Sequence, residues 1–494
     1  VLSWFGFTRE FDERMPIPVT QRSITNVAHV DGTDPSDLAA LMSANEVSID
    51  PTLNGFASED CLALADFMSR WVLVNTFVWS SSDPSMRWLS SVPVTPSYCR
   101  QFAEEDGDNL FLTTAGYVGL PFSYWRGTME YLIIIPVSKF HRGALQLVWT
   151  PLGAALDGTD VTNVSLNVIF DVSENVDREV VVGFARENPV LHNTIITDRV
   201  PIVDLGSTNG TLHFRVINPL VAQESTASTS VFVFARGKNV QFGVPRDSLR
   251  YIDEAPLPNP LEVLLYDQVV LQAKGALGDD SDLGVERTVL VPESGAYPSD
   301  KILFGEEIVS LRALLQKPSL IRMLSFAPAT NIVLPMYFTM PGRDWDGGAQ
   351  RVWTWSAYYR APFLGFAGSE RVKMIPNSPC YLGASRAHVD VNPPVDILST
   401  VPTMAPVTFC GANIGAEFVI PYYHDRKFLL SREVIQRNEP GPKILLFARS
   451  IDIAQPQQVE VFHCLGPDVR ATCFRQLPAV KLMAEKSAGY PWFE

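Results

Sequence analysis

Long apolar runs are scarce in this chain. The longest, YLIIIPV at Tyr131–Val137, meets Pro136 and falls far short of the roughly 20 apolar residues a membrane-spanning helix needs. No membrane span is therefore expected. The N-terminal VLSWFGFTRE has no basic region leading into an apolar stretch and a small-residue cleavage site, so no signal peptide is read. Its first residue is not methionine, which fits release from a precursor and equally a trimmed chain.

Cysteines are few and scattered. Cys61, Cys99, Cys380, Cys410, Cys464 and Cys473 form no CxxC pair, which suits neither a disulfide scaffold nor a zinc cage, so reduced structural thiols are expected. The sequons at Asn163 and Asn209 would matter only in a secretory compartment. Basic residues are outnumbered, 39 against 54 acidic ones, for a net charge of -15. That excludes a uniformly basic nucleic-acid surface and leaves only local contact.

Signatures of catalysis are missing too. There is no GxSxG elbow, no GxxxxGK[ST] phosphate loop, no HExxH and no GxGxxG. His29, His141, His192, His213, His388, His424 and His463 lack metal-ligand spacing and are read as surface or satisfied core residues. GDD at Gly278–Asp280 has the composition of a magnesium-holding pair. Such a pair belongs on a tight hairpin between apolar strands, whereas this one sits in a polar stretch, so a solvated loop is expected. Trp125, Trp149, Trp353 and Trp355 are candidates for a carbohydrate platform, with core or intersubunit packing as the ordinary alternative. Arg126 and Arg142 are candidates for RNA contact, with strand-end ion pairs as theirs. No enzyme, cofactor or metal site is read.

What the chain has is turns: 37 prolines and 31 glycines in 494 residues, a length beyond one ordinary core. It also repeats itself. LPFSYWRGT at Leu120–Thr128 and APFLGFAGS at Ala361–Ser369 share Pro-Phe, then Gly and a hydroxyl at identical spacing, 241 residues apart. Upstream, EDCLALADFMSR (Glu59–Arg70) and EEIVSLRALLQK (Glu306–Lys317) are helix-period segments with acids early and a base late, 247 residues apart. Downstream, LHFRVINP (Leu212–Pro219) answers EFVIPYY (Glu417–Tyr423), and VFVFARG (Val231–Gly237) answers ILLFARS (Ile444–Ser450). Four anchors in one order predict two homologous domains.

Within each copy, short runs rich in β-branched and aromatic residues alternate with Gly, Pro, Asn and Asp. The expected fold is all-β: two eight-stranded antiparallel jelly-roll sandwiches with an extended N-terminal arm and short helices. The divisions are an arm over 1–58, a first jelly roll over 59–247, a linker and arm of the second over 248–300, a second jelly roll over 301–477 and a tail over 478–494.

These residues resemble the capsid proteins of picornavirus-like positive-strand RNA viruses, particularly insect dicistroviruses and algal marnaviruses. In the first half, NVAHVDGTDPSDLAALMSANEVSIDP (Asn26–Pro51) and YWRGTMEYLIIIPVSKFHRGALQLVWTP carry the likeness to the capsid protein that alternates around threefold axes. In the second, FGEEIVSLRALLQK, YYRAPFLGFAGSERVKM and EFVIPYYHDRKF carry the likeness to the one around fivefold axes.

The resemblance implies two of three jelly rolls of a pseudo T=3 icosahedral shell. Its partners would be copies of itself, a third jelly-roll protein, a small internal peptide, genomic single-stranded RNA and a host receptor. Its places would be the virion and, during assembly, the host cytoplasm. The family's protease often cuts after Gln and before a small residue, with an aliphatic residue four positions before the cut, a pattern met by Val269, Gln272 and Ala273. Relatives' Asp-Asp-Phe self-cleavage motif is departed from, because Ser281 follows Asp279-Asp280. From a different class, a two-domain β-sandwich lectin or carbohydrate-processing enzyme remains the alternative.

Overall fold

A single order of strands is used twice. The computed structural model describes residues 61–482 apart from 105–106, 138–139, 152–165, 173–176, 199–205, 223–226, 247–251, 255–285, 293–307, 328–330, 336–353, 390–406, 423–425, 432–440, 451–455, 476 and 479. The arm over 1–58, Gln272 and Ala273, the GDD stretch, Trp353 and Asn163 lie outside the described residues.

In the first sandwich, β1 (Val72–Ser80), β12 (Ser228–Pro245), β5 (Phe122–Ile134) and β8 (Asp177–Val182) make one sheet in the order β1-β12-β5-β8. Facing it is β2-β11-β6-β7, from β2 (Trp88–Pro93), β11 (Thr211–Val221), β6 (Arg142–Thr150) and β7 (Leu166–Asp171). The second sandwich has β15 (Ser319–Phe326), β24 (Gln457–Leu465), β18 (Glu370–Pro376) and β21 (Ala416–Ile420) in the order β15-β24-β18-β21. Its other sheet is β16-β23-β19-β20, from β16 (Asn331–Pro335), β23 (Gly441–Ser450), β19 (Cys380–Val389) and β20 (Val407–Cys410). Numbering the eight main strands of each sandwich along the chain, both read 1-8-3-6 and 2-7-4-5. This is the jelly roll the sequence predicts.

Period-two patterning sets the faces. Along β7, Val168 and Phe170 turn inward while Ile169 is exposed; along β24, Val459 and Val461 are buried and Gln458 is exposed. Phe77 on β1 meets Phe214 on β11 across the first interior, with ring centroids 4.9 Å apart.

The opening Pro-Phe…Gly echo marks a backbone crossing. Gly127 has φ 147° and Gly368 has φ 139°. A Cβ at either would lie 2.6 Å from a backbone Cα, that of Val240 in one copy and of Val469 in the other. Only glycine fits where the third strand bends over the eighth. In the second sandwich both strands break at this crossing, giving the short β17 (Phe363–Ala367) and β25 (Arg470–Phe474), with β22 (Leu429–Leu430) beside them.

Two of the four sequence anchors pair strands that are not equivalent. LHFRVINP lies on β11, seventh of its eight, whereas EFVIPYY begins on β21, sixth of its eight. VFVFARG lies on β12, an eighth strand, and ILLFARS on β23, a seventh. The eighth strands correspond through Val240 and Val469, 229 residues apart.

The helix anchors correspond to α1 (Leu64–Met68) and α3 (Leu311–Leu315). A second helix per copy was not expected: α2 (Thr114–Gly119) and α4 (Trp355–Arg360) lead into each Pro-Phe. Thr113 and Thr354 cap them, each side chain accepting a hydrogen bond three residues on, from the amide of Gly116 and of Ala357. Pro121 and Pro362 follow immediately after the last turn and block its continuation.

Chain from the linker and tail regions is woven into the first sandwich. β14 (Glu286–Val291) runs parallel to β8 and extends its sheet, and β9 (Leu191–His192) pairs with β5. A further sheet, β10-β3-β4-β26-β13, joins β10 (Ile196–Thr197), β3 (Tyr98–Glu104) and β4 (Gly107–Phe111) to β26 (Val480–Leu482) and β13 (Ile252–Glu254). The β14–β8 and β10–β3 pairings are parallel additions to the expected antiparallel plan.

Candidate functional site

Equivalent residues of the two copies meet each other. Leu64 donates its amide to Val309 O at 3.1 Å, and Leu311, 247 residues beyond Leu64, donates to Leu62 O at 2.8 Å. Tyr117 and Tyr358, 241 residues apart, do the same with their side chains. Tyr117 OH donates to Tyr358 O at 2.6 Å, Tyr358 OH to Tyr117 O at 2.8 Å, and the rings stack at 4.2 Å. Each contact is the other's image, so the sandwiches face one another about a local twofold. Tyr359 OH adds a bond to Val118 O, and Phe67 of the first copy packs on Phe363 and Phe474 of the second. Burial pushes the phenols of Tyr358 and Tyr359 well above their ordinary value, which keeps them neutral donors. The apolar core runs through this seam without interruption.

A second polar cluster fastens β14. Glu130 on β5 accepts from Arg236 Nε at 2.7 Å and from an Arg287 terminal nitrogen at 2.8 Å, with Lys238 Nζ at 3.5 Å. Arg287 comes from β14 and also reaches Glu179 on β8 at 3.2 Å. Arg236 sits over the Trp71 ring at 4.2 Å. Glu130 is buried, so its charge is held by these cations rather than by water.

A serine, a histidine and a glutamate line up in the second sandwich, an arrangement absent from the sequence reading. His463 Nε2 lies 2.7 Å from Glu370, and its Nδ1 lies 3.5 Å from Ser356 Oγ. All three side chains are fully buried. With no solvent path to Ser356, the line ties α4 to β18 and β24 and offers no accessible nucleophile. His213 is likewise a core histidine, between Ser91 at 2.7 Å and Thr150 at 3.0 Å.

The remaining candidates fall in ordinary places. Trp125 and Trp149 are buried and donate to Ser207 O and Asn209 O, and Trp355 stacks on Tyr359, so these three form no exposed platform. Arg126 lies over Phe184 and bonds Pro189 O, while Arg142 is exposed. Asn209 is buried, bonded to Gly183 O and the Ala185 amide, and so is closed to glycosylation in the folded chain. Cys380 and Cys410 are directly opposed on β19 and β20 as free thiols, and burial pushes that of Cys380 up to about 12. Among the described residues no group of three ligands could hold a metal ion, and no helix is long and apolar enough to cross a membrane.

Fold and contacts define the class: a tandem pair of jelly rolls whose buried polar groups hold strands and halves together. No family model matches the chain. In sequence it is 21% identical over 411 residues to the structural polyprotein of Cricket paralysis virus, covering 75% of this chain and 46% of the polyprotein. It is 26% identical over 193 residues to the genome polyprotein of Deformed wing virus, covering 36% of this chain and 6% of that one. The chain thus spans about half the length of the first relative and a small part of the second.

Similar solved structures include a marine algae virus of the order Picornavirales (22% identity, 47% of this chain and 93% of that one, TM-score 0.40). Black queen cell virus (17%, 49% and 96%, TM-score 0.41) and the Triatoma virus empty capsid (20%, 51% and 98%, TM-score 0.40) are others. The resemblance to picornavirus-like capsid polyproteins, read from the two halves, is borne out by these relatives.

Proposed function

We propose that the chain is a structural capsid protein of a small icosahedral positive-strand RNA virus, working by assembly and not by catalysis. The observation that carries this reading is the sequence relation to a viral structural polyprotein across 411 residues, which at 75% of this chain extends into both halves. The local twofold adds support, since one surface satisfied by its own duplicate is how repeating assemblies are built.

The outer face of the second sandwich also supports it. Tyr381 and Phe409 are exposed beside the exposed Val407, with ring centroids 5.2 Å apart. An apolar patch of this kind is satisfied by a neighbour. In this reading the neighbours are further copies and a third jelly-roll protein, forming a pseudo T=3 shell in the virion after assembly in the host cytoplasm. Local contacts to genomic RNA, an internal peptide and loops offered to a host receptor complete it. The precursor cut is assigned between Gln272 and Ala273 on sequence pattern alone. A purified particle in which this chain migrates as one full-length band counts against that cut.

The lectin or carbohydrate-processing alternative finds no support in the relatives or in the buried tryptophans. Size-exclusion chromatography with negative-stain microscopy separates the two readings. Closed shells or their ring-shaped subassemblies are expected, and a chain that stays monomeric at every concentration overturns the capsid reading.

A further inference from the structure

The second sandwich holds a pair of thiols that assembly does not call upon. Cys380 opens β19 and Cys410 closes β20, and the two are partners in the antiparallel register. Residues directly opposite in such a pair share a face and have Cα atoms about 4.5 to 5.5 Å apart, within the range of about 4.4 to 6.8 Å that a disulfide spans. Alternation sends both inward. Cys380 and Cys410 are buried, while the next register pair, Tyr381 and Phe409, is exposed on the outer face. Cys99 and Cys464 are also buried on strands, but they stand opposite Thr197 and Arg371.

We propose that Cys380 and Cys410 are a site of reversible oxidative modification, closing to a disulfide that locks β20 to β19 when the folded chain meets a small-molecule disulfide. In a reducing compartment the pair stays as two thiols, and outside it the pair closes. The bond belongs to one chain, so it forms whether or not the chain assembles.

Two exchange steps complete the oxidation. One cysteine, as thiolate, attacks a sulfur of the small disulfide, which forms a mixed disulfide and releases one small thiolate. The other cysteine, as thiolate, then attacks the protein sulfur of that mixed disulfide, and the second small thiolate leaves as the Cys380–Cys410 bond forms. The two protons given up by the cysteines pass to the two released thiolates. Two electrons move from the protein pair to the small disulfide, which is thereby reduced.

Burial governs how fast the bond forms, and register governs which bond it is. Burial, and then the neighbouring Cys410, push the Cys380 thiol up to about 12, and burial raises that of Cys410. Neither is a thiolate at neutral pH, so attack waits for local opening. β20 is the element to open: it is four residues long and pairs with β19 alone among the described residues, whereas the ten residues of β19 are all paired with β23. Once closed, the bond holds Tyr381 against Phe409, the exposed aromatic pair on the other side of the same two strands.

Disulfide mapping by mass spectrometry tests the site. The folded full chain is held in graded ratios of oxidised to reduced glutathione, quenched with acid, then denatured, alkylated and digested without reduction. A peptide linking Cys380 to Cys410 is expected, with Cys99 and Cys464 recovered as alkylated thiols. Hydrogen exchange at Val407–Cys410 should slow about tenfold or more in the oxidised chain and return to its starting rate with dithiothreitol. Cys410→Ala should lose that slowing, and Cys380→Ala serves in its place should the first variant fail to fold. The proposal is overturned by thiols that survive ratios oxidising the unfolded chain, by glutathione that stays on one sulfur, or by links scattered among the cysteines. A link that leaves exchange at β20 unaltered overturns the lock as well, and so does slowing that persists in both variants.

Discussion

At Gly127 and Gly368 a side chain would collide with backbone that has nowhere to go, and the positive φ adds strain of its own. Gly127→Ala and Gly368→Ala should each destabilise the chain by about 2 kcal/mol or more, measured by denaturant unfolding. A loss under about 0.5 kcal/mol would mean the crossing is not as tight as the 2.6 Å approach indicates. His213 makes a second prediction at this scale. Burial lowers its pKa to about 4 from an ordinary 6.5. As pH falls through 6.5 the unfolded chain takes up a proton that the folded one refuses until about pH 4, so stability is lost across that window, about 3 kcal/mol in all. His213→Gln should flatten the dependence of Tm on pH over this range, and an unchanged slope would place the titration elsewhere.

Among elements, β14 depends on charge supplied from another strand. Glu130→Ala would leave Arg236 and Arg287 to share Glu179 alone, and should cost about 1.5 to 3 kcal/mol, with β14 the first strand to lose exchange protection. Protection of β14 equal to wild type would refute that role. What could be read from residues follows from how local each signal is. The Pro-Phe…Gly echo and the α1 and α3 segments are short, and a glycine or a helix period specifies them, so they identify true equivalents. The runs on β11, β12, β21 and β23 are short apolar strand segments, a character shared by every core strand that does not say which strand of eight it is, so two anchors matched the wrong partners. α2 and α4, six residues each, are too short for periodicity. Their signal lay in the Thr cap and the proline just beyond the helix. The partners of β14 and β26 are settled only by tertiary packing, which no local pattern records.

Across the whole molecule, the Tyr117–Tyr358 stack joins the halves. Tyr117→Phe and Tyr358→Phe should each cost about 1 kcal/mol, because each removes a hydroxyl donor from a buried carbonyl. The double variant should depart from additivity, since the two bonds belong to one contact. Strict additivity would mean that the halves do not sense each other there. The seam was within reach of sequence reasoning, as two tyrosines at the duplication's own spacing, but that one tyrosine would face the other could be learned only from the fold. Electron cryomicroscopy of the assembled chain tests the central claim most directly. The account predicts icosahedral particles whose density pairs two jelly rolls about Tyr117 and Tyr358, and solitary molecules, or a shell that holds the two sandwiches apart, would contradict it.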